Sequence, residues 1–211
     1  MKIKRKLFSL LTVLFICFST GTLTSCKLAS SHLNFHPHGG GSVYVVTGIS
    51  NQANYFTKIT IPSEYNDKPV YGIDGLAFRG CSSLKRITIP DSVKYIGVGA
   101  FQNCTSLKSI TIPDSVQSIG FLAFDGCKSL KSVTIGNNVR SIESSTFSRC
   151  SSLKSITIPD SVTSIKEDAF EYCGSLTTVY YTGIEEQWNN ITIGNNNEWL
   201  IHANIIYKYK G

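Results

Sequence analysis

The stretch Ser151–Val162, SSLKSITIPDSV, decides the fold because the chain contains it three times with little change. Nearly the same residues occupy 105–116 (TSLKSITIPDSV) and 82–93 (SSLKRITIPDSV). The first two copies begin 23 residues apart, and the third begins two such steps later. A motif that returns at a fixed step predicts a stack of equivalent units rather than a single irregular core.

Each unit predicts a short strand that ends in a turn. Ile156 and Ile158 flank Thr157, which is the alternation of a strand with one buried and one exposed face. Pro159 lacks the N–H that a central strand needs, and Asp160 favours a turn. The following VTSI predicts a second short strand, and the run from EDAF to Cys173 predicts one helical turn.

Several columns of similar residues share the 23-residue step, which lies in the range of leucine-rich repeats. No unit can bury its apolar side alone, so stacking must join these columns into one continuous core. The most regular columns are Cys81, Cys104, Cys127, Cys150 and Cys173; Phe78, Phe101, Phe124, Phe147 and Phe170; and Leu84, Leu107, Leu130, Leu153 and Leu176.

The pattern therefore predicts a repeat solenoid over residues 43–183, with a parallel β-sheet, a second short strand and a short helical turn in each repeat. The run GSVYVVTG predicts an N-terminal β cap, and five extra residues in the first unit predict a loop around Asn66–Pro69. Residues 184–211 break the period and predict a C-terminal cap. The side chains expected to cover the open end of the core there are Trp188, Trp199 and Tyr207.

The N-terminal residues predict export. Basic residues at Lys2–Lys6 precede the apolar stretch Leu7–Phe18, which is too short to cross a bilayer as a helix. The run LTSC, ending at Cys26, resembles the lipobox of bacterial lipoproteins, whose cysteine is acylated; an ordinary signal peptide with an incidental cysteine is the alternative. We expect a lipoprotein signal peptide over 1–25, a membrane anchor on Cys26 and a flexible tether over 26–42.

The charge of the mature chain gives no sign of nucleic-acid binding. Four of the 20 basic residues lie within residues 1–26, which contain no acidic residue. The rest of the chain carries 16 basic and 14 acidic residues, and its net charge of +2 compares with +6 for the whole sequence. A nearly neutral body lacks the basic character typical of nucleic-acid-binding domains.

The repeat pattern C-x-S-L-K-x-I-T-I-P-D-S-V-x-x-I-G-x-x-A-F resembles the BspA-like leucine-rich repeat of bacterial surface proteins. The resemblance covers residues 58–181, and GIEEQWNNITIGNNNEWLIHANIIY resembles a closing segment of such proteins. It implies a right-handed solenoid and, in many members, adhesion to cells or binding of host proteins. Departures at Gly136, Ser145, Thr146 and Lys166 leave that expectation of the fold intact.

The outward strand positions form the open face on which repeat proteins commonly bind partners. Most of them are serine or threonine, so we expect a strong interface to depend on the arginine and tyrosine at the edges and on the inserted loop. The candidate binding residues are Arg86, Thr88, Thr111, Thr134, Thr157, Tyr180, Asn66 and Lys68.

Other polar columns have two interpretations each. The five repeat cysteines could pair, but they lack the C-x₂-C spacing of zinc sites, and a column of buried free thiols is the simpler interpretation. His32, His36 and His38 could bind a metal, although a Gly-rich tether would not preorganise them. Lys85, Lys108, Lys131 and Lys154 could attract anionic polymers or be solvated and paired with aspartates. We predict no metal and no cofactor.

These features favour a non-catalytic binding module. The chain has no G-x-S-x-G, P-loop or H-E-x-x-H motif, so we expect no enzyme activity. We expect a lipid-anchored protein of the bacterial cell surface that binds a protein or glycan partner, such as a host matrix protein. The alternative is a periplasm-facing lipoprotein with a structural or assembly role in the envelope.

Overall fold

A computed structural model describes residues 27–28, 32–50 and 55–210 of the chain. The predicted signal peptide and the predicted lipid attachment at Cys26 lie outside these residues. Within them, no helix combines the length and the apolar character that a membrane span requires.

The described chain winds into the predicted solenoid, which has about seven turns. Nearly all of its regular structure is strand, and most strands are two to four residues long. In chain order the strands are β1 (Lys27–Leu28), β2 (Leu33–His38), β3 (Val43–Ile49), β4 (Lys58–Thr60), β5 (Glu64–Tyr65), β6 (Lys68–Ile73), β7 (Arg86–Thr88), β8 (Tyr95–Ile96), β9 (Ser109–Thr111), β10 (Ser118–Ile119), β11 (Ser132–Thr134), β12 (Ser141–Ile142), β13 (Ser155–Ile158), β14 (Ser164–Ile165), β15 (Thr178–Tyr181), β16 (Thr192–Ile193) and β17 (Asn204–Ile206).

The first sheet is built from the strand of each SIT or equivalent segment. Strands β1, β4 and β7 pair in parallel, and so do β9, β11, β13, β15 and β17. The Lys108 N–H donates to the Lys85 carbonyl (3.2 Å), which joins the two groups across β7 and β9. The register repeats the 23-residue step, since Val133 lies opposite both Ile110 and Ile156. In β7, β9 and β11 the central residue is therefore buried and its two polar neighbours are exposed.

The second sheet forms the opposite side of each turn. Strands β10, β8, β6 and β3 pair in parallel, β2 adds to β3 in the antiparallel sense, and β12, β14 and β16 pair in parallel beyond them. The parallel part corresponds to the predicted second strand of each repeat.

The N-terminal segment differs from the predicted flexible tether. Leu33–His38 form a strand along β3, and the Leu33 side chain is buried against the core. Lys27 and Leu28 pair with Lys58 and Ile59 of β4. Polar and Gly-rich composition indicated a flexible chain, but the open edges of the first coil offer unpaired backbone groups that this segment satisfies.

The predicted helical turn is instead a run of consecutive tight turns. Backbone N–H groups bond to carbonyls three residues earlier, as from Cys127 to Phe124 (3.2 Å), and alternate N–H groups bond to the next coil, as from Phe124 to Thr146 (2.9 Å). Two residues in each run have a positive φ, which a helix excludes. These positions are Leu76 and Gly80, Gly99 and Asn103, Leu122 and Gly126, Ser145 and Arg149, and Asp168 and Tyr172.

Stacked identical side chains form the core between the two sheets. Neighbouring phenylalanine rings of the Phe78–Phe170 column have centroids 5.2 to 5.5 Å apart, and all five rings are fully buried. The five repeat cysteines are buried and free, as the simpler interpretation predicted. Four of the thiols donate to the carbonyl of the phenylalanine 26 residues earlier, at 3.1 or 3.2 Å.

The C-terminal cap contains two short helices, α1 (Glu185–Asn189) and α2 (Glu198–Ile201). Trp188 is buried and meets Tyr181 edge to face, but Trp199 is 45% exposed, and its neighbour Leu200 is the side chain that enters the core. Tyr207 also meets Tyr181 edge to face, with ring centroids 6.5 Å apart, and is half-buried.

Asn197 completes the hydrogen bonding of the last coil. Its Oδ1 accepts from the Phe170 N–H (3.0 Å), a bond that the next coil's carbonyl makes inside the array. Its Nδ2 donates to the carbonyls of Lys166 and Gly194, both at 2.9 Å. One buried amide side chain therefore replaces the missing coil.

Candidate functional site

A large concave surface lies on the outer face of the first sheet. It is a groove of about 1320 Å³ that crosses several coils. Outward strand residues form its floor, and the turns that follow the strands form one wall. The polar lining side chains include Arg86, Thr88, Asp91, Ser109, Thr111, Asp114, Thr134, Asn137, Thr157, Tyr209 and Lys210.

A ladder of threonines forms the centre of the floor. Thr134 lies directly opposite Thr111 on one side and Thr157 on the other, on neighbouring strands about 4.8 Å apart. Thr88 precedes this row and Arg86 lies beside it, with an exposed side chain. The structure therefore brings five of the eight predicted binding residues into one groove.

The C-terminal segment closes one end of the groove. The Tyr209 N–H donates to the Tyr181 carbonyl (3.1 Å), and the Tyr209 ring lies over Tyr180 with centroids 4.4 Å apart. Tyr180 thus supports the ring of Tyr209, and Tyr209 and Lys210 line the groove. Sequence reasoning missed both residues because they follow the end of the period; the alternation YKYK at 207–210 was the available signal.

Two of the turns that follow the strands contribute an aspartate to the wall of the groove, Asp91 and Asp114. The Asp114 carboxylate accepts from the Asn137 N–H (2.8 Å), and the Asp114 carbonyl accepts from Asn138 Nδ2 (2.6 Å). The GNN sequence of the third unit therefore replaces PDS by bonding to the turn of the preceding unit. Asp91 and Asp114 both remain exposed at the groove edge.

Asn66 and Lys68 lie outside the groove. The predicted inserted loop is a β-hairpin of β5 and β6, and its two-residue turn, Asn66 and Asp67, has positive φ at both positions, as a type I′ turn requires. Asn66 Nδ2 donates to the Tyr44 hydroxyl (3.4 Å) and Lys68 Nζ donates to the Gly41 carbonyl (2.5 Å). The hairpin therefore packs on the N-terminal cap.

The groove presents donors and acceptors rather than a nucleophile with a base. Its lining contains no histidine and no cysteine. The repeat thiols lie in the core, where burial raises the pKa of Cys127 and that of Cys173 to about 12, so both stay protonated and unreactive in the folded protein. The described residues include no group of three or more His, Cys, Asp or Glu side chains placed to hold a metal.

The three N-terminal histidines do not converge. His36 and His38 lie on β2, and His32 precedes that strand with its ring 5.4 Å from the ring of Phe56. They are spread along an extended segment that pairs with β3.

Solved structures of bacterial proteins share this fold. A leucine-rich repeat protein of T. pallidum matches 80% of this chain and 86% of its own, with 24% identity and a TM-score of 0.57. A leucine-rich cell surface protein of Faecalibacterium prausnitzii matches 87% of this chain and 55% of its own, with 29% identity and a TM-score of 0.59. A leucine-rich repeat protein of Eubacterium ventriosum matches 87% and 52%, with 21% identity and a TM-score of 0.62.

The chain therefore spans about half the length of the last two proteins. None of the curated proteins matches it. The model of the BspA-type leucine-rich repeat region matches residues 71–197 in six copies, which is more than half of the chain and includes every interior coil described above. The repeat period, the two stacked parallel ladders and this match together place the chain in the BspA-type leucine-rich repeat family.

Proposed function

We propose that the protein is a non-catalytic binding module of the bacterial cell surface that holds a protein or glycan partner in the groove of the first sheet. The observation that carries this proposal is the groove itself, a concave surface that crosses several coils and exposes a row of hydroxyl side chains. Solenoid proteins use such extended concave surfaces for binding, whereas the side chains that point into the coils of this chain pack in its core. The similar F. prausnitzii protein is a cell surface protein.

The composition of the groove favours a broad contact over a small pocket. Hydroxyls of the threonine ladder can donate and accept along an extended partner, but they supply few strong contacts. Arginine and tyrosine contribute most at interfaces, and they occur at the two ends, as Arg86 and as Tyr209 over Tyr180. In a partner that spans the floor and contacts both ends, hydrogen bonds to the threonine hydroxyls would set the orientation, and contacts with the arginine and tyrosine side chains at the ends would provide most of the affinity.

A groove-blocking variant tests this proposal. Thr134→Trp places a large ring in the middle of the exposed floor, and Ser118→Trp makes the matched change at an exposed position of the second sheet. We expect the purified protein to bind host matrix proteins or the producing cell's envelope saturably, and Thr134→Trp to weaken this binding at least tenfold while Ser118→Trp does not. Absence of saturable binding by the unaltered protein, or equal loss in both variants, would contradict the proposal.

We further propose that acylated Cys26 anchors the protein in the envelope with the solenoid on the outer surface. Two acyl chains or more would hold it stably, since each buried CH₂ contributes about 0.8 kcal/mol. Protease treatment of intact cells distinguishes this topology from a periplasm-facing assembly role. Loss of the solenoid supports surface display, whereas full protection until the cells are broken supports the periplasmic alternative.

A further inference from the structure

We infer that a basic strip along the first sheet, which shares Arg86 and the outward threonines with the groove, binds a linear anionic polysaccharide, one that carries sulfate or carboxylate groups. The strip consists of the residues that run from the repeat cysteine to the end of the strand in four successive coils: 81–88, 104–111, 127–134 and 150–157. The inference rests on the proposed function and deepens it by naming a ligand class for a surface that overlaps the groove floor.

Every charged residue of the strip is basic. Its four segments contain six basic residues and no aspartate or glutamate. The next equivalent segment, CGSLTTVY at 173–180, contains no charge at all. All six cationic side chains are exposed: Lys85, Arg86, Lys108, Lys128, Lys131 and Lys154.

Backbone hydrogen bonds place four of these lysines in one row. The Lys108 N–H donates to the Lys85 carbonyl (3.2 Å), the Lys131 N–H to that of Lys108 (2.8 Å) and the Lys154 N–H to that of Lys131 (2.9 Å). Neighbours in the row are therefore one strand separation apart, about 4.8 Å, and the row is about 14 Å long. Lys128 and Arg86 widen it at two coils.

These cations are not neutralised by the protein. Among the described residues a salt bridge forms between Arg149 and Asp125, and no basic residue of the strip forms a salt bridge. Three of the lysines are followed six residues later by an aspartate, namely Asp91, Asp114 and Asp160, which lies beyond the opposite end of the strand. The sequence left Lys–Asp pairing open, and the fold separates the two rows.

The neighbours of the lysines indicate which polyanion fits. Ser109, Ser132 and Ser155 follow three of the lysines and point outward with hydroxyls that can bond to sugar hydroxyls. Proteins that bind single-stranded nucleic acids place aromatic side chains along the basic groove for base stacking. The four segments of the strip contain no aromatic residue. The surface therefore favours a polysaccharide over a nucleic acid.

Heparin is a suitable sulfated probe, with dextran as the neutral polysaccharide and single-stranded DNA as the competing polyanion. We compare the unaltered protein with Lys108→Gln/Lys131→Gln and with Lys94→Gln/Lys166→Gln, which removes equal charge outside the strip. We expect the strip variant to bind heparin about 30-fold more weakly and the control less than about threefold more weakly, with affinity that falls as salt rises. Dextran should not bind.

Three outcomes would overturn the inference: no binding of heparin, equal loss in the two variants, or tighter binding of DNA than of heparin. Hyaluronate and the purified envelope polysaccharide of the producing cells then separate a host source of the ligand from a bacterial one. The two tests remain distinguishable, since Lys108 and Lys131 do not line the groove and the Thr134→Trp variant retains all six cations.

Discussion

Replacing one ring of the phenylalanine column tests how the coils hold together. Phe124 is fully buried between Phe101 and Phe147, with ring centroids 5.2 and 5.4 Å away. A buried phenylalanine removes 150–250 Å² from water, at about 25 cal/mol per Å², and truncation also leaves a cavity in the middle of the stack. We expect Phe124→Ala to lower the free energy of unfolding by about 4 kcal/mol, and Phe124→Leu by about 1.5 kcal/mol.

Phe121→Ala is the matched control because Phe121 lies three residues earlier in the same turn with half of its side chain exposed (51%). We expect it to change stability by less than about 0.5 kcal/mol. Urea unfolding followed by circular dichroism and by the fluorescence of Trp188 and Trp199 measures both variants. A loss below about 1 kcal/mol for Phe124→Ala, or equal losses at the two positions, would refute the assignment of the column as the stabilising core.

The remaining predictions concern three buried polar groups. Burial raises the pKa of Cys127 to about 12, so as the pH rises its thiol ionises first in the unfolded chain, and this group should lower the free energy of unfolding by about 1.4 kcal/mol per pH unit between pH 9 and 12. The Cys127→Ala variant should lack this contribution, and parallel stability curves for the variant and the unaltered protein would contradict the prediction. Asn197→Ala should lower the free energy of unfolding by about 2 kcal/mol and speed amide exchange at Phe170, whose N–H loses its acceptor, whereas unchanged exchange would show that Asn197 does not complete the last coil. Arg149→Ala should cost about 2 kcal/mol by leaving the buried Asp125 carboxylate with Gln102 alone, and adding Asp125→Ser should recover most of that loss in thermal unfolding; no recovery would argue against a charge effect.

The interior of the solenoid could be predicted because every coil repeats the same packing. A column such as Phe78 to Phe170 is visible in one sequence when five positions share a step and a residue type. The parallel register of Thr111, Thr134 and Thr157 then follows from stacking without further information.

The run of turns that ends at each repeat cysteine was wrongly predicted as helical. Its turns depend on backbone conformations that cannot be inferred from the side chains. Leu76 and Leu122 have φ near +60°, although leucine rarely adopts this conformation. Bonds to the neighbouring coil, such as that from Gly99 to Phe121 (3.0 Å), stabilise the turns. Such bonds exist only after stacking, so a local pattern cannot show them.

The ends were less predictable because each depends on a single non-repeated contact. The pairing of Leu33–His38 with β3 has no periodic signal, and composition alone indicated a flexible chain. At the other end, Trp199 has the larger side chain, but Leu200 is the residue whose side chain is buried in the core. The candidate site followed the same rule: its floor was predicted from the period, whereas Tyr209, which closes the groove, was not.

Photo-crosslinking on living cells tests most directly whether the first sheet is the binding surface. A photoreactive amino acid is placed at Thr134 in the groove floor or, as a control, at Ser118 on the second sheet, and both positions are exposed. We predict that the Thr134 probe crosslinks a specific partner in the intact envelope or on a host cell and that the Ser118 probe does not. Crosslinking from Ser118 alone, or the same partner from both positions, would contradict a function located in the groove.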